Sequence, residues 1–166
     1  MKRLLLCRHA KSSWANPGQE DFDRPLNERG ERNAPDMGRR LRERGEVPSR
    51  VVSSPARRAL TTASLMAAEL GIPRADIVIE DELYEASVAT WLRVIAALPA
   101  SAESVLMVGH NPTLTELGNL LCPQIRIDNI PTCGLLRLDF DVRQWSAVRG
   151  TEPIDWLFDY PKRAYP

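Results

Sequence analysis

The chain contains only two histidines, His9 and His110, and each closes a strongly apolar run, LLLCRHA and VLMVGHN. Runs of this kind read as buried β-strands, and in open α/β sheets the carboxyl ends of strands line the ligand crevice. Two imidazoles so placed can meet across one site, as nucleophile, proton carrier or hydrogen-bond donor. Either one alone also fits a histidine that only satisfies local hydrogen bonds. Arg8 stands beside His9, and the stretch SSPARRALTTA delivers Arg57 and Arg58 into the first turn of a helix. A guanidinium offers a fixed fork of donors that matches phosphoryl oxygens, and a helix start adds unpaired backbone N–H groups. By periodicity alone, one of this arginine pair belongs to a solvated helix start. The chemistry these types support is the docking of a phosphate.

The elements that must position these side chains alternate in type. Strands are expected over residues 3–8, 50–53, 76–79 and 104–109. A helix is expected from about residue 28 to 44, with a break or restart near Asn33, because Pro35 suits a first turn better than an interior. The next helix is expected to have Ser54 as N-cap and Pro55 at its first position, with Gly71 ending it. Helices also fit 88–98 and 113–121, and runs 134–140 and 145–149 read as strands of an antiparallel C-terminal addition. The alternation predicts a three-layer α/β/α sandwich around a central, mostly parallel mixed sheet. It also predicts one domain spanning residues 1–166.

Composition narrows the function classes. Of 166 residues 43% are hydrophobic and 27% charged, which fits a globular chain with a substantial core. The 22 basic and 22 acidic residues balance, so the chain as a whole lacks the electrostatic footprint of a nucleic-acid binder. Its start, MKRLLLC, has too short an apolar run for a leader and reads as a first strand. No stretch approaches the roughly 18 apolar residues of a membrane span. Cys7, Cys122 and Cys133 form no metal or redox pair and read as reduced thiols, which favours the cytoplasm. Two histidines without acidic residues at ligand spacing argue against a metal site.

Together these motifs resemble the histidine phosphatase superfamily, and within it the SixA-like phosphohistidine phosphatases, along nearly the whole chain. Arg8-His9-Ala10 is similar to the superfamily's Arg-His-Gly signature, with Ala10 in place of the usual glycine. DFDRPLNERG is similar to the D-x-P-L-T-x-x-G segment. Ser54, Pro55, Arg58, Ala59, Thr62 and Ala63 fit the S-P-x-x-R-A-x-x-T-A pattern, which selects Arg58 over Arg57 as the second phosphate arginine. His110 in VGHNPTL matches the second histidine. A proton-donating glutamate in an L-x-E segment falls at Glu85, with Glu82 as its neighbouring alternative, and some phosphohistidine phosphatases lack this acid.

The resemblance implies a phosphoglycerate mutase-like fold and a phosphatase that needs neither metal nor cofactor. Neutral His9 would take the phosphoryl group, its other ring nitrogen held by a backbone carbonyl. Arg8, Arg58 and a protonated His110 would bind the phosphoryl oxygens. Ser12 and Asn111 are further candidate phosphate donors, or turn-stabilising residues. Lys11 and Trp14 are expected at the mouth, and Asp21, Asp23 and Arg24 in a local charge network. The short connection between Arg58 and His110 leaves the pocket uncovered, which favours phosphohistidine on a protein as substrate, with inorganic phosphate as product. A small phosphoester is the alternative substrate, and a weakly catalytic phosphoprotein-binding module the alternative role.

Overall fold

A computed structural model describes residues 1–163. A six-stranded sheet is formed by β1 (Lys2–Arg8), β2 (Arg50–Ser53), β3 (Val78–Ile79), β4 (Ser104–Gly109), β5 (Leu135–Phe140) and β6 (Asp155–Asp159), in the order β3-β2-β4-β1-β5-β6. The first four strands run parallel; β5 is antiparallel to β1, and β6 to β5. Helices α1 (Glu28–Glu43) and α2 (Arg57–Glu69) contribute to one core with Leu5, Cys7, Val51, Leu106 and Val108. Helices α3 (Val88–Ala96) and α4 (Thr113–Leu121) contribute to a second core with Leu4, Leu6, Val52, Val105 and Met107. The two-residue alternation of a strand therefore divides β1, β2 and β4 between two apolar layers. The expected three-layer sandwich with a mixed sheet is the observed fold.

Three local expectations are corrected. Helix α1 runs without a break through Pro35. An interior proline costs about 3 kcal/mol or more; burial of Ala34, Met37 and Leu41 in the same core as Ala59, Ala63 and Met66 of α2 offsets it. Helix α2 begins at Arg57, and Ala56 rather than Ser54 stands at its cap, so the Ser54 hydroxyl is available elsewhere. Residues 145–149 form no strand: Trp145–Ala147 is a 3-10 turn in which the buried Trp145 Nε1 donates to Ala102 O at 2.8 Å. The last strand is β6 instead, whose Asp159 is wholly buried and bonded by Arg40 at 2.8 Å and Arg44 at 3.1 Å. Smaller shifts shorten the third strand to Val78–Ile79 and end α3 at Ala96.

Candidate active site

The sheet register builds the site. Arg8 of β1 pairs with Gly109 of β4, so the residues that follow, His9 and His110, emerge side by side at the carboxyl edge. His9 N donates to Gly109 O at 3.0 Å, and the two rings lie 5.2 Å apart, inclined at 52°. On the other side of β4, Ser53 pairs with Val108, which delivers Ser54 to the same edge. Its Oγ stands 2.7 Å from His110 Nε2. Three neighbouring parallel strands thus end in one polar cluster.

His9 is 7% exposed, and its Nδ1 lies 2.8 Å from the Ala10 carbonyl oxygen. A carbonyl only accepts, so Nδ1 carries the proton and Nε2 the lone pair. Burial pushes the ring down to about pKa 3, and the His110, Arg58 and Arg8 groups push the same way against the Ala10 hydrogen bond. Burial, followed by the Arg58 charge, likewise lowers His110 to about 4. Without an anion beside it this ring is therefore neutral at pH 7, whereas the expected protonation of His110 concerns the anion-bound site.

Both arginines are anchored at one end and free at the other. Arg8 Nη1 donates to Ile130 O at 2.9 Å, while its Nε is buried with no acceptor. Arg58, 6% exposed, donates from Nη1 to Asp21 O at 2.7 Å and from Nη2 to Asp21 Oδ2 at 3.1 Å, and its Nε is also buried with no acceptor. His110 Nδ1 is a third buried atom of this kind. Arg57, in contrast, is exposed, its Nη1 3.4 Å from Asp23 O.

The remaining candidates separate. Glu85 borders a cavity of about 250 Å³ together with Leu83, Trp91, His110 and Thr113, and its backbone holds φ at +53°. Glu82 is turned to Arg93 at the surface, 2.9 Å away. The Asn111 side chain takes the turn-stabilising alternative. Its amide nitrogen donates to Asn129 Oδ1 and Ile130 O, its oxygen accepts from Thr115 N and Oγ1, and no side-chain donor is left over. Ser12 Oγ accepts from Arg24 Nη1 at 2.6 Å, so it braces Arg24. Lys11 is exposed, and Trp14, 72% exposed, lies against the Arg24 guanidinium at 3.5 Å.

Tyr84 escaped the sequence reading. Its ring meets His110 edge-on at 5.8 Å, and its hydroxyl donates to Asp21 Oδ2 at 2.7 Å. Thr62 was visible only as part of a pattern; its Oγ1 accepts from Ala10 N at 2.9 Å and donates to Arg58 O at 2.7 Å, tying the loop after His9 to α2. Among the described residues, no group of three or more His, Cys, Asp or Glu side chains could hold a metal ion. Nor is any described helix long and apolar enough to cross a membrane.

Two imidazoles and two half-anchored guanidiniums thus gather at the carboxyl edge of a mixed α/β sheet, with Arg8 Nε, Arg58 Nε and His110 Nδ1 buried and without partners. A family model for the histidine phosphatase superfamily (branch 1) matches residues 4–97, and the chain belongs to that superfamily. A structure provisionally described as phosphohistidine phosphatase SixA from Agrobacterium tumefaciens is 36% identical, with a TM-score of 0.76 over 94% of this chain and 97% of that one. A second, described in the same provisional terms and from Nakamurella multipartitia, is 28% identical, with a TM-score of 0.81 over 98% and 97%. An uncharacterised chloroplast protein of Arabidopsis thaliana is 30% identical over 72% of this chain; the match spans 59% of that protein's length.

Proposed function

We propose that this protein is a phosphatase that passes a phosphoryl group first to His9 and then to water. The observation that carries the reading is the state of His9: a neutral ring with Nδ1 committed to Ala10 O, and an Nε2 lone pair among groups that favour an anion. Nε2 attacks phosphorus as the bond to the leaving group breaks, and the leaving atom keeps that electron pair. Water then attacks the phosphohistidine, the P–Nε2 bond breaks, and inorganic phosphate leaves with His9 restored. Arg8 Nε, Arg58 Nε and His110 Nδ1 supply donors for the phosphoryl oxygens, and fixed donors of this kind stabilise the charge of the transition state. His110 can donate while neutral, and a bound dianion raises its proton affinity.

The preferred substrate is phosphohistidine on a protein. Its imidazole leaving group needs little help from an acid, and the two provisional SixA structures support that class. A small phosphoester is the second reading, favoured by the Glu85 carboxylate that borders the cleft beside His110. The test is brief exposure to a substrate carrying labelled phosphoryl groups, with chelator present. A base-stable, acid-labile label on the protein that disappears in His9→Ala supports the mechanism. Undiminished turnover in that variant, or a requirement for metal, rejects it. Anion binding without any turnover would favour a binding module.

A further inference from the structure

Asp21 meets Arg58 in a way that reaches beyond charge pairing. The main-chain oxygen and Oδ2 of Asp21 accept one hydrogen bond each from Nη1 and Nη2 of the guanidinium. That leaves the side-on edge, Nε and the second hydrogen of Nη2, and Nε is the buried atom without an acceptor. Asp21 is itself braced from two further directions. Oδ1 accepts from Arg24 Nε at 3.1 Å, and Oδ2 accepts from the Tyr84 hydroxyl. Arg24 is buried, held by Ser12 Oγ on one side and lying against the Trp14 ring on the other. Two segments remote in sequence, the first turn of α2 and the turn before α3, therefore converge on one carboxylate in the loop after β1.

We propose that Asp21 is a positioning residue that fixes the plane of the Arg58 guanidinium, so that its side-on edge meets two phosphoryl oxygens of the substrate as the phosphoryl group transfers. The proposal rests on the phosphatase reading and deepens it. Two aligned N–H donors add geometric specificity as well as attraction, and a small misplacement of such a group lowers rate more than binding. The carboxylate remains ionised to about pH 2: burial opposes ionisation, but hydrogen bonds from Tyr84 and Arg24 and the Arg58 charge outweigh it. Removing this charge makes the pocket more positive and so favours ground-state binding of an anion. Positioning and charge balance thus have opposite signatures. A positioning role lowers kcat while leaving phosphate inhibition unchanged or tighter.

The test compares wild type, Asp21→Asn, Tyr84→Phe and the control Glu82→Gln. Expected for Asp21→Asn is a fall in kcat of about tenfold to a hundredfold, with Ki for inorganic phosphate no weaker than wild type. Tyr84→Phe, which keeps the carboxylate but loses one brace, gives a smaller fall of the same pattern, and Glu82→Gln gives none. Relaxation of the Arg58 Nε–Hε group, read by nitrogen-15 NMR, should show a rigid guanidinium in wild type and a mobile one in Asp21→Asn. If Asp21→Asn does not fold, the same readouts on Tyr84→Phe decide. Unchanged kcat, a weakened phosphate Ki that accounts for the lost rate, or an Arg58 guanidinium equally rigid without Asp21 each overturn the proposal. A wild-type protein that turns over no phosphoryl substrate, yet has an Arg58 whose rigidity depends on Asp21, sinks only the phosphatase reading.

Discussion

Ser54 Oγ lies 2.7 Å from His110 Nε2, and the same hydroxyl oxygen accepts from Ala56 N at 3.2 Å. With the backbone N–H as its donor, the hydroxyl hydrogen is free to point at Nε2; the proposed donor role needs this arrangement, since it puts the His110 proton on Nδ1, the buried atom without a partner. Ser54→Ala removes that control of the tautomer and leaves Nε2 buried without a partner, a loss of about 1–3 kcal/mol. Expected is a fall in kcat/KM of about tenfold or more, larger than the fall from Ser53→Ala, whose hydroxyl bonds only to the Ser54 carbonyl. Steady-state kinetics on both variants check it, and equal effects would contradict it.

The two neutral histidines set a pH dependence of stability. Their ordinary pKa is near 6.5, while in the fold His9 falls to about 3 and His110 to about 4. Between those values the unfolded chain binds more protons than the folded one, so stability is full above pH 6.5 and declines as pH falls towards 4 and 3. The expected loss is on the order of a few kcal/mol. Asp21 acts in the same direction at lower pH, because its carboxylate takes up a proton near 3.8 in the unfolded chain but only at about 2 in the fold. Urea midpoints at pH 7, 5.5 and 4.5 measure the histidine limb, and His9→Gln should flatten it. Equal stability at all three pH values in wild type would show that these rings are not buried neutral.

Glu85 separates the two substrate readings. If it protonates a departing alkoxide, Glu85→Gln lowers turnover of an alkyl phosphate by about a hundredfold, while turnover of phosphohistidine changes by less than about twofold. Equal losses on both substrates would remove the acid role. The backbone adds an independent check, because φ at +53° costs a side-chain-bearing residue about 1 kcal/mol. Glu85→Gly should therefore raise the thermal midpoint while lowering activity on the alkyl ester.

The strand-end histidines were legible because apolar runs flank them, and strand register then brings them together without any long side chain having to reach. Arg58 could be told from Arg57 only by pattern, since one position along a helix decides which side chain faces the site. Tyr84 and Ser54 were not legible in their roles: a tyrosine in a turn carries no periodic signal, and Ser54 before Pro55 imitates a helix cap. The final strand was hidden for a different reason. Its ends are Asp155 and Asp159, residues that disfavour strands, and they are accommodated by Arg137, Arg40 and Arg44 from elsewhere in the chain. Proline 35 misled in the opposite direction, because tertiary packing overrode local propensity.

Two glycines test whether the site depends on close backbone approach. At Gly30, near the start of α1, a Cβ would lie 2.2 Å from Lys11 O, a backbone atom that already accepts from Asn27 N at 2.9 Å. Neither side can yield without moving the segment that follows His9 and Ala10. At Gly109 a Cβ would lie 2.3 Å from Trp91 Cζ2, and Trp91 is fixed in the core at 1% exposure. Relief there displaces the strand end that carries His110. Overpacking of this kind costs about 1–3 kcal/mol, and more where backbone is the obstacle. Gly30→Ala and Gly109→Ala should therefore each lower the denaturant midpoint, Gly30→Ala more severely, and both should lose activity beyond what the unfolded fraction explains. Gly18→Ala is the control, since its nearest neighbour would be 3.6 Å away, an ordinary contact, and it should behave as wild type. A Gly109→Ala protein with wild-type midpoint and turnover would mean that Trp91 does not buttress the His110 strand end.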